Sequence, residues 1–145
     1  MAHQDLEITI EKIVYGGSGL ARHEGRVVFV PGAAAGERIK ARVVSDRGNF
    51  LEAELVEVLE ASTERVKAPC EYVTLCGGCQ YQHLTYKEEI RWKEAQVREL
   101  LTRQAGVDDA RIGAITPSPK DYHYRSSVTL HRTRPGRAPQ RLGFV

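Results

Sequence analysis

Three cysteines, Cys70, Cys76 and Cys79, lie within ten residues of each other in this chain of 145 residues. Because their number is odd and no export signal precedes them, a disulfide framework is not expected. Thiolates are soft ligands that suit an iron–sulfur cluster or zinc. Gly77 and Gly78 would let the backbone turn tightly, so that Cys76 and Cys79 could face one metal. The sequence therefore predicts a metal site with the three cysteines as ligands.

The identity of this metal stays open on spacing alone. Clustered cysteines with a fourth ligand distant in sequence are typical of iron–sulfur sites. The alternative is zinc, held by the three cysteines with His83 as the fourth ligand. The spacing favours the cluster over zinc, and zinc over no metal at all.

A glycine-rich run, Gly16-Gly17-Ser18-Gly19, could suggest a nucleotide-binding loop. Such a loop must lead into the N-terminus of a helix. Here Arg22 to Arg26 leads instead into another predicted strand. The run is therefore interpreted as a connection inside a small barrel, and no S-adenosylmethionine fingerprint is found in the chain.

Positive charge is distributed unevenly. The formal net charge is +2, but residues 120–145 contain six Lys and Arg against Asp121 alone, which favours a polyanionic partner. Candidate RNA-binding side chains alternate along one predicted strand, lie just before it, or lie in the basic tail: Arg38, Lys40, Arg42, Arg22, Arg26, Arg125 and Arg132. The alternative is a solvated outer face, which the nearby Glu52, Glu54 and Glu57 support.

Residues 1–60 are predicted to be a small β-barrel of the OB type. Leu6, Ile8 and Ile10 alternate with polar residues, as in a half-buried strand. Short strands follow at residues 27–30, 38–43 and 50–59, separated by turns and without an intervening helix. The apolar phase of the last strand slips at Val56, which predicts a bulge.

The remainder is predicted to be α+β. Residues 61–69 are polar and predict a linker, and the cysteine segment spans 70–84. An amphipathic helix is predicted over 85–106, with a Thr85/Glu88 capping box, Gly106 as its stop and an apolar face. That face contains Tyr86, Ile90, Val97, Leu100 and Leu101, whereas Trp92 is expected against a neighbouring domain or at the surface. Residues 107–145 predict an incomplete central β domain, with strands near 112–115 and 124–132.

These residues resemble a known family. The runs 13–21 and 27–37 resemble a TRAM domain, an RNA-binding barrel of the OB type. The pattern Cys70, Cys76-Gly-Gly-Cys79, Gln80, His83 and Tyr86 resembles the iron–sulfur segment of TRAM-carrying RNA (uracil-5)-methyltransferases, nearest to the enzymes that act on 23S rRNA. The elements Pro119, Tyr124-Arg125 and Leu142-Gly143-Phe144 resemble the central domain of that family, although Ser126-Ser127 stands where a further basic residue is usual.

The resemblance implies an activity that needs residues outside this chain. In the family a uridine is flipped out of the RNA, a cysteine attacks carbon 6, S-adenosylmethionine supplies the methyl group to carbon 5, and a base removes the carbon 5 proton. These catalytic groups are expected C-terminal to Val145. So is the fourth ligand of a 4Fe-4S cluster held by Cys70, Cys76 and Cys79.

Several expectations follow. The chain is expected to be the N-terminal part of such an enzyme, inactive by itself, monomeric, cytoplasmic and bound to RNA, with 23S rRNA preferred over tRNA. No apolar run is long enough to span a membrane. The competing hypotheses are a non-enzymatic RNA-binding module with a zinc site, and a methylthiotransferase. The latter is disfavoured because its cysteine spacing differs and its TRAM domain is C-terminal.

Overall fold

The structure of the chain is a computed structural model that describes residues 4–73, 75–132 and 142–144. The strands are β1 Asp5–Thr9, β2 Lys12–Ile13, β3 Ser18–His23, β4 Arg26–Pro31, β5 Arg38–Asp46, β6 Phe50–Glu60, β7 His131–Arg132 and β8 Leu142–Gly143. The helix α1 spans Tyr86–Ala105, and a 3-10 turn covers Asp109–Arg111. His3 lies outside the described residues, as do three of the six cations of the basic tail, Arg134, Arg137 and Arg141.

The first six strands form one curled sheet in the order β1-β5-β6-β4-β3-β2. Its two edge strands, β1 and β2, are consecutive pieces of the same stretch of chain. At the bend between them, the Ile10 amide donates to Glu37 on one side, and the Glu11 amide donates to Leu20 on the other, both at 2.8 Å. The bend therefore joins both edges of the sheet, and the predicted OB-type barrel is confirmed.

The barrel core follows the predicted alternation. Leu6, Ile8 and Ile39 point inward and are almost completely buried, whereas their strand neighbours are exposed or half-buried. The other buried apolar residues are Ile10, Ile13, Leu20, Ala21, Val28, Val30, Ala33, Ala34, Ala41, Leu51, Ala53 and Leu84. Leu84 lies outside the strands, so the segment after the cysteines contributes to the same core.

The predicted bulge in β6 is also confirmed. Lys40 pairs with Glu57 and the next residue, Ala41, pairs with Leu55, so Val56 is left without an opposite residue. Two similar register shifts occur elsewhere between β5 and β6. Bulges increase the local twist of a sheet, which helps this long strand pair curl around the core.

The predicted helix is confirmed, but its capping box is only half formed. The Thr85 side chain accepts a hydrogen bond from the Glu88 amide, and Gly106 ends the helix in the left-handed region at φ 63°. The Glu88 carboxylate does not reach back to Thr85. It accepts hydrogen bonds from Trp92 and Arg91 instead, while the Thr85 amide donates to the Glu64 carbonyl at 2.9 Å.

The barrel is contacted by a different face of the helix from the predicted apolar one. Trp92 packs against the barrel core, the Gln96 amide donates to the Ile13 carbonyl at 3.0 Å, and Lys12 pairs with Glu99 at 2.9 Å. These positions recur at helical spacing on a side of the helix away from Val97, which is 52% exposed. Trp92 thus packs against the neighbouring barrel, one of the two expected positions.

The strands predicted after the helix are largely absent from the described residues. Residues 112–115 form no strand, and the Arg98 guanidinium hydrogen-bonds to the carbonyls of Ile112 and Gly113, at 3.0 and 3.3 Å. Of residues 124–132, only His131 and Arg132 form a strand, paired with Leu142 and Gly143. The prediction was wrong here because a strand needs a partner, which the sequence pattern of one strand does not provide.

Candidate functional site

The cysteines lie on a loop whose two ends are held together. Arg65 and Leu84 form an isolated antiparallel bridge. On either side of it, the Val66 amide donates to the His83 carbonyl and the Thr85 amide to the Glu64 carbonyl, both at 2.9 Å. We call residues 67–82 the cysteine loop and this pairing its neck. The predicted linker is therefore partly paired, and the loop leaves from and returns to one fixed point.

A buried ion pair attaches the neck to the barrel. Glu37, in the turn before β5, is completely buried. It accepts hydrogen bonds from the Ala34 amide at 2.8 Å, from the Arg65 guanidinium at 2.8 Å and from the Ser62 amide at 3.3 Å. Arg65 also donates to the Gly32 carbonyl at 2.7 Å. Burial alone would raise the pKa of Glu37, but these donors outweigh it and hold the pKa below its ordinary value.

His83 lies in the neck and faces the barrel. Its Nε2 atom is 3.3 Å from the Ala33 carbonyl oxygen, and the side chain is buried. Burial lowers the pKa of His83, so the ring is neutral near pH 7. The Nε2 atom, one of the two ring nitrogens that could bind zinc, is therefore turned towards the backbone of the barrel turn at residues 33–35.

The three cysteines differ in exposure. Cys70 and Cys76 are half-buried and Cys79 is exposed. The backbone amides of Phe144 and Gly78 hydrogen-bond to the Cys76 sulfur and lower the pKa of its thiol. Amide donors of this kind stabilise a thiolate, the form in which cysteine binds metals.

The donor chemistry of the loop suits a thiolate-ligated group, but the loop does not present a finished ligand set. Within the described ranges, no three His, Cys, Asp or Glu side chains converge in a way that could hold a metal ion. The three thiols would have to move together on binding. Gly77 and Gly78, predicted to allow a tight turn, lie between two of them.

The cysteine loop packs against the glycine-rich turn of the barrel. A Cβ atom placed on Gly17 would lie 2.5 Å from the Gln80 Cβ atom, so only glycine fits there. Gly16 and Gly17 adopt left-handed φ values of 88° and 85°, which glycine adopts without strain. The chain then enters β3 rather than a helix, and the interpretation as a structural connection, not a phosphate-binding loop, agrees with the fold.

The cations predicted to contact RNA from the barrel are all paired with carboxylates. Arg22 bonds to Glu11, Arg26 to Asp46, Arg38 to Glu7 and Glu60, and both Lys40 and Arg42 to Asp5. The pairs join different strands and turns of the barrel and favour the solvated-face alternative for this surface. Two candidates lie elsewhere: Arg125 is exposed in the segment after the helix, and Arg132 is in β7.

A feature that the sequence pattern did not reveal is an open groove of about 1630 Å³ beside the cysteine loop. The glycine-rich turn, the cysteine loop and the C-terminal half of α1 all contribute to it. Tyr15, whose ring is 91% exposed, lies on its edge. Polar side chains that line the groove include Lys12, Lys67, Gln80, Arg103, Gln104 and the carboxylates of Glu52, Glu54 and Glu99. Only the docking of α1 on the barrel brings these residues together.

No α-helix in the part of the chain that the structure describes has the length and apolar character needed to cross a membrane.

Comparison with known proteins identifies the barrel. Residues 2–56 match the TRAM domain. An uncharacterized RNA methyltransferase from Aquifex aeolicus is 41% identical over 128 residues, which is 88% of this chain and 30% of the relative. Another from Bdellovibrio bacteriovorus is 42% identical over 123 residues, or 85% of this chain and 31% of the relative.

A third relative has a more specific name. The 23S rRNA (uracil(1939)-C(5))-methyltransferase RlmD of Pseudomonas putida is 41% identical over 124 residues, covering 85% of this chain and 27% of the relative. The chain thus spans about 30% of the length of the relatives it matches. The similarity extends well past the barrel, through the lengths of both the cysteine loop and the helix.

Proposed function

We propose that this chain, which carries a TRAM domain and resembles RNA methyltransferases along most of its length, is the N-terminal part of an RNA (uracil-5)-methyltransferase acting on 23S rRNA. The supporting observation is the continuity of the similarity. Relatives named RNA methyltransferases match 85–90% of the chain, whereas the TRAM domain accounts only for residues 2–56. An independent RNA-binding module would be expected to match these methyltransferases over the barrel residues only.

The proposed role of the chain is to bind RNA, not to perform the methyl transfer. S-adenosylmethionine, the nucleophilic cysteine and the general base would belong to a catalytic domain outside these residues. The chain alone is therefore expected to transfer no methyl group. An rRNA substrate would place the enzyme in the cytoplasm.

We further propose that Cys70, Cys76 and Cys79 are ligands of a 4Fe-4S cluster, which would hold the cysteine loop in one conformation. Two features support this role: the amide donors at Cys76 favour a thiolate, and the neck fixes both ends of the loop. The zinc alternative is less well supported, because its fourth ligand, His83, is buried and faces the barrel, away from solvent. A cluster would also need a fourth ligand from outside the chain.

Anaerobic reconstitution tests the cluster proposal. The chain would be incubated with ferrous iron, sulfide and a small thiol that can act as the fourth ligand, then desalted and assayed for iron, acid-labile sulfide and visible absorbance. The proposal predicts bound iron and sulfide in the wild type and their loss in Cys79→Ser. The matched control, Ser45→Ala on β5, should bind as the wild type does.

Two results would contradict the cluster. One is bound zinc that persists in the presence of excess iron and is lost in His83→Asn, which would support a three-cysteine-one-histidine site. The other is wild-type protein that retains neither iron nor sulfide and has three freely alkylated thiols.

A further inference from the structure

Tyr15 presents its ring to solvent from a rigid turn. The Val14 amide donates to the Ser18 carbonyl and the Gly17 amide donates to the Val14 carbonyl, both at 2.9 Å. Gly17 is in turn packed against Gln80 of the cysteine loop. The backbone on both sides of Tyr15 is therefore fixed, yet its ring is 91% exposed. The ring adds nothing to the barrel core, and its placement calls for another explanation.

The described residues that line the groove next to Tyr15 include four cations, Lys12, Arg65, Lys67 and Arg103, and three carboxylates, Glu52, Glu54 and Glu99. Lys12 and Arg103 share one carboxylate, that of Glu99, at 2.9 and 2.8 Å, and Arg65 pairs with the buried Glu37. Lys67 forms no ion pair with any of the described residues. The lining therefore has a small excess of positive charge.

The outer face of the barrel has the opposite property. Each of its arginines is within ion-pair distance of a carboxylate from another part of the barrel. A phosphate that approached this face would have to compete with these carboxylates. The groove, in contrast, places an excess of cations near the exposed ring of Tyr15. Single-stranded nucleic acid is bound by such a pair of features: an aromatic ring on which a base stacks and positive charge along the path of the backbone.

We propose that the groove between the glycine-rich turn, the cysteine loop and α1 binds single-stranded RNA, with a base stacked on Tyr15 and phosphates near Lys67 and Arg103. This inference rests on the proposed function, since it names the surface by which the chain holds its RNA. The stacking is sequence-tolerant because every base has a π face. The Gln80 and Gln104 amides can donate to or accept from base edges.

The test is the affinity of the chain for a short, uridine-rich single-stranded RNA, measured by fluorescence anisotropy at low salt. Loss of one stacked base weakens binding by about tenfold, so Tyr15→Ala should raise Kd by about that factor. Tyr15→Phe keeps the ring and should remain within about twofold of the wild type. Tyr72→Ala is the matched control, since Tyr72 is also exposed, at 58%, but does not line the groove.

The possible outcomes distinguish a failure of this proposal from a failure of the proposed function. Wild-type binding with an unchanged Kd for Tyr15→Ala would overturn the groove and leave RNA binding intact. Equal binding by Tyr15→Leu would also overturn it, because an aliphatic surface is what a protein partner would use. A wild type that binds no RNA would overturn both. Tyr15→Ala should keep the wild-type Tm, because the ring is outside the core, so a loss of binding cannot be attributed to unfolding.

Discussion

Glu37 is the residue on which the connection between the barrel and the cysteine loop depends most. Its carboxylate is completely buried and binds donors from the turn at Ala34, from Ser62 and from Arg65. Removing one partner of such a pair leaves the other charge without compensation. The contribution of Glu37 to stability therefore depends on Arg65, which lies 28 residues further along the chain.

Replacing the charge of Glu37 should destabilise the protein. Glu37→Gln removes the charge but keeps the shape, and we expect a loss of about 2 kcal/mol in the free energy of unfolding at pH 7. Urea unfolding followed by circular dichroism measures this. Glu57→Gln, on the exposed side of β6, is the control and should change stability by less than about 0.5 kcal/mol. An unchanged Glu37→Gln variant would show that the ion pair is not a stabilising contact.

Glu37→Gln should also change how the stability of the protein depends on pH. Because the pKa of Glu37 is lowered on folding, its contribution is present above the ordinary glutamate pKa and is lost as the pH falls through the folded value. Between pH 7 and pH 3 the wild type should lose more stability than Glu37→Gln does. If the urea midpoints of the two proteins fall by the same amount over this range, Glu37 does not have a lowered pKa in the folded protein.

At the scale of the elements, two tight turns of the barrel offer a matched comparison. Gly17 and Gly25 both have left-handed φ values, 85° and 77°, but an added Cβ on Gly25 meets nothing within 4 Å, whereas one on Gly17 meets Gln80 at 2.5 Å. Gly25→Ala should cost about 1 kcal/mol from backbone strain. Gly17→Ala should cost about 2 kcal/mol or more, because the clash is added to the strain.

The difference between these two variants measures the contact of the glycine-rich turn with the cysteine loop. Chemical denaturation supplies both values. If Gly17→Ala and Gly25→Ala destabilise equally, the turn and the loop are not packed as described.

The docking of the helix gives a third pair of variants. Trp92 packs against the barrel core, and Val97 lies on the other side of the helix with half of its surface exposed. Trp92→Ala should lower the free energy of unfolding by about 2 to 3 kcal/mol. Val97→Ala should change it by less than about 0.5 kcal/mol, since alanine is also the better helix former. Thermal and urea unfolding of both variants check this, and the reverse order would show that the predicted apolar face is the docked one.

The barrel was predictable from sequence because each strand carries its own signal. Leu6 and Ile8 alternate with polar residues, and the phase slip at Val56 corresponds to an observed bulge. The helix had an equally local signal in Thr85 and Gly106. Each of these features depends on neighbours within a few residues.

Features that depend on distant residues were not predictable. The role of Glu37 requires Arg65, the docked face of the helix requires the barrel surface around Ile13, and the groove requires Tyr15 to lie near Arg103. Charge alternation on β5 predicted a cationic surface, but the carboxylates that neutralise it come from other strands and turns. The cysteine spacing indicates the kind of ligand, whereas the arrangement of the three thiols depends on the loop as a whole.

At the scale of the whole molecule, the barrel, the cysteine loop and the helix are held together and line one groove. The anchors are the Glu37–Arg65 pair, the contact of Gly17 with Gln80 and the packing of Trp92. Relatives named RNA methyltransferases match 88% and 85% of this chain. The proposed function requires that this unit bind RNA.

The most direct test of RNA binding by this unit is the affinity of the wild-type chain for single-stranded RNA as a function of salt. Contacts to about two phosphates, through Lys67 and Arg103, predict that log K falls against log salt concentration with a slope of about −1.4. Titrations between about 50 and 200 mM salt would give this slope, and Lys67→Ala should make it shallower. An affinity that does not change with salt, or no binding even at the lowest concentration, would contradict the proposed RNA binding.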